Sequence, residues 1–430
     1  MQIQYALDEQ PPLWKSILFG LQWAAILVPS VITLGRAIDS THAAESPSST
    51  GYLQRLLLVT AMTLVGQVLW GHRLPVIAGP ATVLLIGVLA SGSTSSNAVY
   101  TSIIIGGVFL TLLAVSGVLS HLRKLFTDNV VAVVLLLIAF TLAPTVSRLL
   151  LVAESGAGPL ANLLFALVLI FAMFMAHRIL TGIWSATVIV WAMLVGSLAY
   201  AFIFHGHLSH VAIPERGIVS GFVNGLTLAP ELQIGVLISF LVCYLALSIN
   251  DLGSIQSMNR LLEVKDMDRR VSRGIAVTGL TNVLSGFLGV VGPVNYSLSP
   301  GVVMSTGCAS RFTLLPAAAI VGILAFIPAA LGFVSNIPSV VIGCVLLYIL
   351  TSQVSAGLSV AFARQDGRQF QFDDGLIVAL PVLLGTIIAF LPPDILEAFP
   401  SVLKPILGNG FVVGVVAVLA LEHVLLRNRS

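Results

Sequence analysis

The sequence predicts an all-α polytopic membrane protein, and three observations carry that prediction. Of 430 residues, 57% are hydrophobic and 9% charged, against roughly 25% charged in an average soluble domain. Mean hydropathy is +1.03. Apolar runs bounded by charge or by Gly and Pro recur along the whole chain, at 16–36, 55–71, 75–90, 98–120, 129–147, 158–176, 182–204, 232–252, 273–291, 294–309, 312–333, 338–358, 375–391 and 408–426. Fourteen spans of about 21 residues use about 294, since a helix needs roughly 20 residues to cross a ~30 Å hydrocarbon core. The remainder makes short loops, which leaves no room for a soluble catalytic domain or a nucleotide-binding cassette. A net charge of +2 gives a nucleic acid nothing to bind.

The amino-terminal stretch Met1–Pro12 carries Asp8 and Glu9 where a secretory leader has basic residues, and it reads as a cytosolic tail. With that end inside, fifteen of the twenty Lys and Arg residues fall on the cytoplasmic side, a positive-inside asymmetry that supports the even span count and places both termini in the cytoplasm. The expected setting is a plasma membrane, most simply a bacterial inner membrane. Cys243, Cys308 and Cys344 lie in apolar runs without CxxC spacing, so they read as packing residues rather than disulfides or zinc ligands.

Two segments depart from the rest. The third, Pro75–Ala90, and the tenth, Val294–Ala309, are short, and Gly and Pro interrupt them or stand at their edges. Gly79-Pro80 in the third recurs as Gly292-Pro293 at the tenth, an offset of 292 − 79 = 213 residues, close to half the chain. A repeat of seven spans puts its two copies in opposite orientations. Paired interrupted segments in inverted halves point to a transporter's central binding site. Ser299-Pro300 has the form of an N-cap followed by an N1 proline. A short extended piece would therefore feed a half-helix that begins in mid-membrane, with its free amides aimed at the bilayer centre.

The eighth segment carries polar residues at depth. Asn250 lies ten residues, about 15 Å, before Arg260, and Gly253, Ser254 and Ser257 follow at i+3, i+4 and i+7 on the same face. That stripe reads either as small-residue helix packing or as a binding face. Asp251, the one carboxylate near the middle of any span, is a candidate for ion coupling. It could instead pair with a neighbouring helix terminus or an internal water. Glu422-His423 reads as a snorkelling interfacial pair rather than a proton relay. His205, His207 and His210 lack a fourth metal ligand and read as a solvated loop, and no metal or cofactor is called for.

These residues carry a resemblance. Pro11-Pro12-Leu13, Leu21-Gln22, Arg73-Leu74-Pro75 to Gly79, Ser285-Gly286-Phe287-Leu288-Gly289 and the run from Gly301 to Arg311 resemble the nucleobase:cation symporter-2 family, the nucleobase-ascorbate transporters that include xanthine and uracil permeases. The family's signature maps onto Leu298, Ser299, Pro300, Gly301, Thr306 and Gly307. The resemblance implies two inverted sets of seven segments, with short strands in segments 3 and 10. It implies a core domain of residues 1–122 and 230–335 and a gate domain of residues 123–229 and 336–430. It also places the solute against Asn250, Ser254, Ala81 and Thr82 and the backbone of Tyr296, Ser297, Leu298 and Ser299. The departures are specific: the family's eighth-segment glutamate is Asn250, its signature acid or amide is Leu298, its signature asparagine is Ser299, the third-segment aromatic is Thr82, and the histidine after Leu21-Gln22 is Trp23.

The expected function is a permease for a nucleobase or a similar small planar solute, working by alternating access. A proton or sodium ion is the candidate coupling ion, the bilayer is a partner, and a homodimer is compatible with the sequence. The competing readings are a small-anion transporter on the same inverted-repeat fold and a non-transporting membrane receptor. No nucleophile–base pair points to an enzyme. Reporter fusions after Ser430 and within residues 205–215 are expected on opposite sides of the membrane. Finding both on one side would contradict the even count.

Overall fold

The computed structural model describes residues 4–42, 49–91, 94–117, 127–152, 157–181, 184, 188–204, 222–223, 225–296, 299–327, 337–362, 371–400 and 403–425. Apolar composition, with its backbone hydrogen bonds closed within each segment, makes these mostly helices. The first half holds α1 (Leu13–His42), α2 (Ser49–Leu69), the strand β1 (Ala78–Pro80), α3 (Thr82–Ala90), α4 (Ser96–Val115), α5 (Asp128–Thr141), α6 (Ala143–Leu151), α7 (Pro159–Ile179) and α8 (Val188–Phe204). The second holds α9 (Ile234–Leu262), α10 (Met267–Phe287), β2 (Pro293–Asn295), α11 (Ser299–Thr306), α12 (Leu314–Leu324), α13 (Ser339–Phe362), α14 (Phe372–Ala389), α15 (Pro393–Glu397), α16 (Lys404–Leu407) and α17 (Gly410–Ala420).

Among the described residues, eight helical stretches are long and apolar enough to cross a membrane: Leu13–Ile38, Gly51–Leu69, Ser96–Val115, Asp128–Leu151, Pro159–Ile179, Ile234–Gln256, Ser339–Phe362 and Phe372–Ala389. Three shorter apolar helices stand at Val188–Phe204, Arg311–Leu324 and Gly410–Val424. The ninth expected segment is α10, whose first turns carry Asp268, Arg269, Arg270 and Arg273. The third and tenth are each a three-residue strand leading into a half-helix of nine and eight residues. The fifth is divided at Leu142 by the proline at the start of α6.

The helices pack in two sets. In one, α1, α2, α4, α9, α10 and α12 pack together, with the two strands against α1, α2, α9 and α10 and with α4 against α10 the most intimate contact. Gly107, Gly279 and Gly286 explain it: a Cβ on Gly107 would lie 2.7 Å from Gly279 O, one on Gly279 would lie 2.7 Å from Gly107 O, and one on Gly286 would lie 2.7 Å from Tyr100 O. Small residues let backbones approach where no larger side chain fits. In the other set, α13 packs on α5, α6, α7 and α8, and α14 on α5 and α17. One face of α7, with Leu160, Leu164, Leu167, Phe171 and Phe174, is exposed and apolar, as a helix facing lipid requires.

The amino-terminal tail lies along the chain that leaves α11. Gln4 N donates to Gly307 O (2.8 Å), Ala309 N to Tyr5 O (3.0 Å) and Arg311 N to Leu7 O (3.1 Å), and Arg311 pairs with Asp8 at 2.7 Å. Glu422 accepts from Asn129 Nδ2 at 3.2 Å, which makes it a helix-to-helix contact.

Overpacking at a glycine contact costs about 1–3 kcal/mol. Gly279→Val should lower the thermal midpoint in detergent by several degrees, whereas Gly253→Ala, where a Cβ meets nothing within 4 Å, should leave it unchanged.

Candidate functional site

Pro80 and Pro293 lack N–H donors, and the glycine before each removes the side chain, so neither segment can continue as a helix there. The two breaks solve the problem jointly. β1 and β2 pair antiparallel, Ala78 with Asn295, Gly79 with Val294 and Pro80 with Pro293. Ala81 N donates to Gly292 O (2.9 Å) and Tyr296 N to Ile77 O (2.8 Å), extending the ladder at both ends. The offset of 213 residues also carries Pro80 onto Pro293, so these two prolines face each other at the crossing.

One residue separates β1 from α3 and three separate β2 from α11, so the amino termini of α3 and α11 both lie near the crossing. Ser299 is the first residue of α11. Its Oγ accepts from Ile77 N (3.1 Å) and donates to Tyr296 O (2.9 Å), and the side chain is fully buried. It therefore locks the strand to the half-helix. The Tyr296 hydroxyl donates to Pro80 O at 3.0 Å, and the ring lies over Gly79, where a Cβ would sit 2.6 Å from that hydroxyl. Ala81 and Thr82 are buried at the start of α3. Ser297 and Leu298 lie outside the described residues.

On α9 the expected polar stripe divides. Asn250 is half-buried, and its amide has no hydrogen-bond partner among the described residues. Gly253, one turn on, is exposed and faces open space. Ser254 is 1% exposed and turned inward. Asp251 is fully buried, and its Oδ1 accepts two hydrogen bonds from one residue, Asn295 N at 2.8 Å and Asn295 Nδ2 at 2.7 Å. Among the described residues no cation pairs with it. The partner of Oδ1 is thus a strand residue, while Oδ2 is buried with no hydrogen-bond partner among the described residues.

Asn295 joins a network that the sequence reading did not anticipate. Its amide also reaches His72 Nε2 (3.2 Å) and Thr278 Oγ1 (3.4 Å). Gln67 Nε2 donates to Thr278 Oγ1 (3.0 Å) and Gly274 O (2.9 Å), and its Oε1 accepts from His72 N (3.3 Å). Asn282 Nδ2 donates to Pro293 O (2.9 Å), and Tyr244 OH bonds Asn282 Oδ1 (2.8 Å). These residues hold β2 between α2, α9 and α10. The signal in the sequence was their polarity inside apolar runs, where each such group must find a partner.

Residues 14–394 match the permease family. A Clostridium perfringens chain assigned as a purine permease is 26% identical, with 98% of this chain and 92% of that one covered. The xanthine permease of Bacillus subtilis is 24% identical over 93% of this chain and 91% of its own. The transmembrane domain of a cyanobacterial bicarbonate transporter superposes with a TM-score of 0.60 at 16% identity, covering 89% of this chain and 97% of that domain. At that identity the likeness is one of fold.

Ser299→Ala strands the Ile77 amide in a buried site, a loss of about 1–3 kcal/mol. A fall in the detergent thermal midpoint with Ser299→Ala, and a smaller one with Ser299→Thr, is the expected result.

Proposed function

The chain belongs to the permease family, the nucleobase-ascorbate transporters that its sequence resembles, and from that premise we propose that this multi-pass membrane transporter moves a nucleobase or a similar small planar solute. The observation that carries the reading is the unpartnered Asn250 amide on α9, next to the open face at Gly253, with the strand crossing tied to the next residue along. An amide offers N–H donors and a carbonyl acceptor side by side, which suits the polar edge of a planar heterocycle. The free amides at the starts of α3 and α11 add partial positive charge for a carbonyl oxygen. In this reading the backbone from Tyr296 through Ser297 and Leu298 to Ser299 and the strand near Ala81 and Thr82 line the solute, with Ser254 on the adjoining turn of α9.

The moving parts are a core of residues 1–122 and 230–335 and a gate of residues 123–229 and 336–430, with fourteen crossings and both termini cytoplasmic. The two packing sets of helices support this division, since each set is denser within itself than against the other. Asp251 holds the strand through Oδ1, which accepts two N–H groups, while Oδ2 is buried with no hydrogen-bond partner among the described residues; the positions where the family carries its carboxylates are Asn250 and Leu298 here. Transport is therefore read as facilitated and uncoupled. The second reading, a small-anion carrier, draws on the same two half-helix termini with no carboxylate of Asn250 or Leu298 to repel an anion.

Asn250→Ala should reduce uptake of labelled purine into proteoliposomes about tenfold, as one lost hydrogen bond to the solute implies, with insertion unchanged. Wild type should equilibrate the label with or without an inward proton gradient. Accumulation that disappears in Asp251→Asn would contradict the uncoupled reading, and uptake of bicarbonate in place of purine would favour the second.

A further inference from the structure

His72 is fully buried between the end of α2 and β1, and its hydrogen bonds determine its tautomer. Leu74 N donates to Nδ1 at 3.0 Å, so Nδ1 carries no hydrogen. The ring proton of the neutral imidazole is then on Nε2, which faces Asn295 Oδ1 at 3.2 Å and donates to it. That bond settles the Asn295 amide in turn. With Oδ1 towards His72, Nδ2 points at Asp251 Oδ1, 2.7 Å away, and at Thr278 Oγ1. The reversed amide would set two acceptors against each other at Asp251 and two donors against each other at His72. Room for the ring comes from Gly274 on α10, where a Cβ would meet His72 Cβ at 3.0 Å. From outside, Arg270 grips the main chain on either side of the turn, its guanidinium donating to His72 O and Arg73 O at 3.0 Å each.

We propose that His72 is a positioning residue of the solute site: by donating to Asn295 it fixes the clamp between β2 and Asp251, and so fixes where α9 presents Asn250 beside the strand crossing. The chain of bonds runs Leu74 N–H to His72, His72 to Asn295, Asn295 to Asp251, and one peptide bond separates Asp251 from Asn250. The inference rests on the reading of Asn250 as a solute contact for its transport consequence, but the clamp itself can be measured without any solute.

Two substitutions separate the roles of the two ring nitrogens. His72→Asn keeps an acceptor near the position of Nδ1 and deletes the donor to Asn295, while His72→Gln can return an N–H to about where Nε2 stood. His72→Asn is expected to raise the KM for purine uptake about tenfold, the effect of one lost hydrogen bond, with Vmax close to wild type and the thermal midpoint lowered by a few degrees, because Asn295 Oδ1 is left unpaired in a buried site. His72→Gln is expected to recover most of the loss. Wild-type KM in His72→Asn, or equal impairment in both variants, would overturn the proposal. Hydrogen–deuterium exchange supplies the solute-free reading. In His72→Asn, exchange should quicken in the peptide covering 291–296 and stay slow in α4, since Asn295 N–H is the donor to Asp251. Unchanged exchange at 291–296, or a rise across the whole protein, would equally overturn it. A wild type that moves no purine would remove the transport reading alone, and the exchange measurement would still decide the clamp.

Discussion

A chain that breaks its helix inside a bilayer must find partners there for every N–H and C=O it frees, because no water is at hand to take them. Here the two breaks are each other's partners. Pro80 and Pro293 stop their segments, the flanking residues pair as β1 and β2, and the carbonyls of the two prolines are met by the Tyr296 hydroxyl and the Asn282 amide. The position of either half-helix thus depends on the other, and the two halves of the chain fold as one unit around the crossing.

The polar side chains near the crossing serve that constraint first. Ser299, Asn282, Asn295, Gln67, Thr278 and Asp251 are all buried, and hydrogen bonds among them and to the strands or the residues flanking them join them around the crossing. Within that network Asp251 Oδ2 is the exception, buried with no hydrogen-bond partner among the described residues. Asn250 stands apart because it is only half-buried, its amide has no hydrogen-bond partner among the described residues, and Gly253 keeps the space beside it open. Scaffold and contact surface therefore occupy adjacent residues of one helix, Asp251 facing the strand and Asn250 facing the opening.

Much of this was legible in the sequence. The offset between Gly79-Pro80 and Gly292-Pro293 located both breaks, because Pro and Gly act on the backbone locally and need no tertiary context. The burial of Asp251 was likewise expected of a carboxylate inside an apolar run. What could not be read was the division of the eighth segment's stripe, since Gly253 and Ser254 are 100° apart on a helix and only the packing of α10 and β2 decides which is covered. Asp251's partner was hidden for the same reason: Asn295 is 44 residues on and reaches it only after the strands have paired. His72 gave no signal beyond being a polar residue before Arg73-Leu74-Pro75, and its role depends on a neighbour 223 residues away.

The central claim is that solute binds at the strand crossing, between the two half-helix termini and Asn250. A cleft elsewhere offers the clearest contrast, an apolar cavity of about 400 Å³ lined by Phe140, Val146, Leu150, Leu163, Leu347 and Val354. Photo-cross-linking with an azidopurine, followed by peptide mapping, distinguishes the two directly. The account predicts adducts in peptides covering 78–82, 250–254 and 295–299, competed away by unlabelled purine. Competable adducts confined to the peptides of the apolar cleft would contradict it.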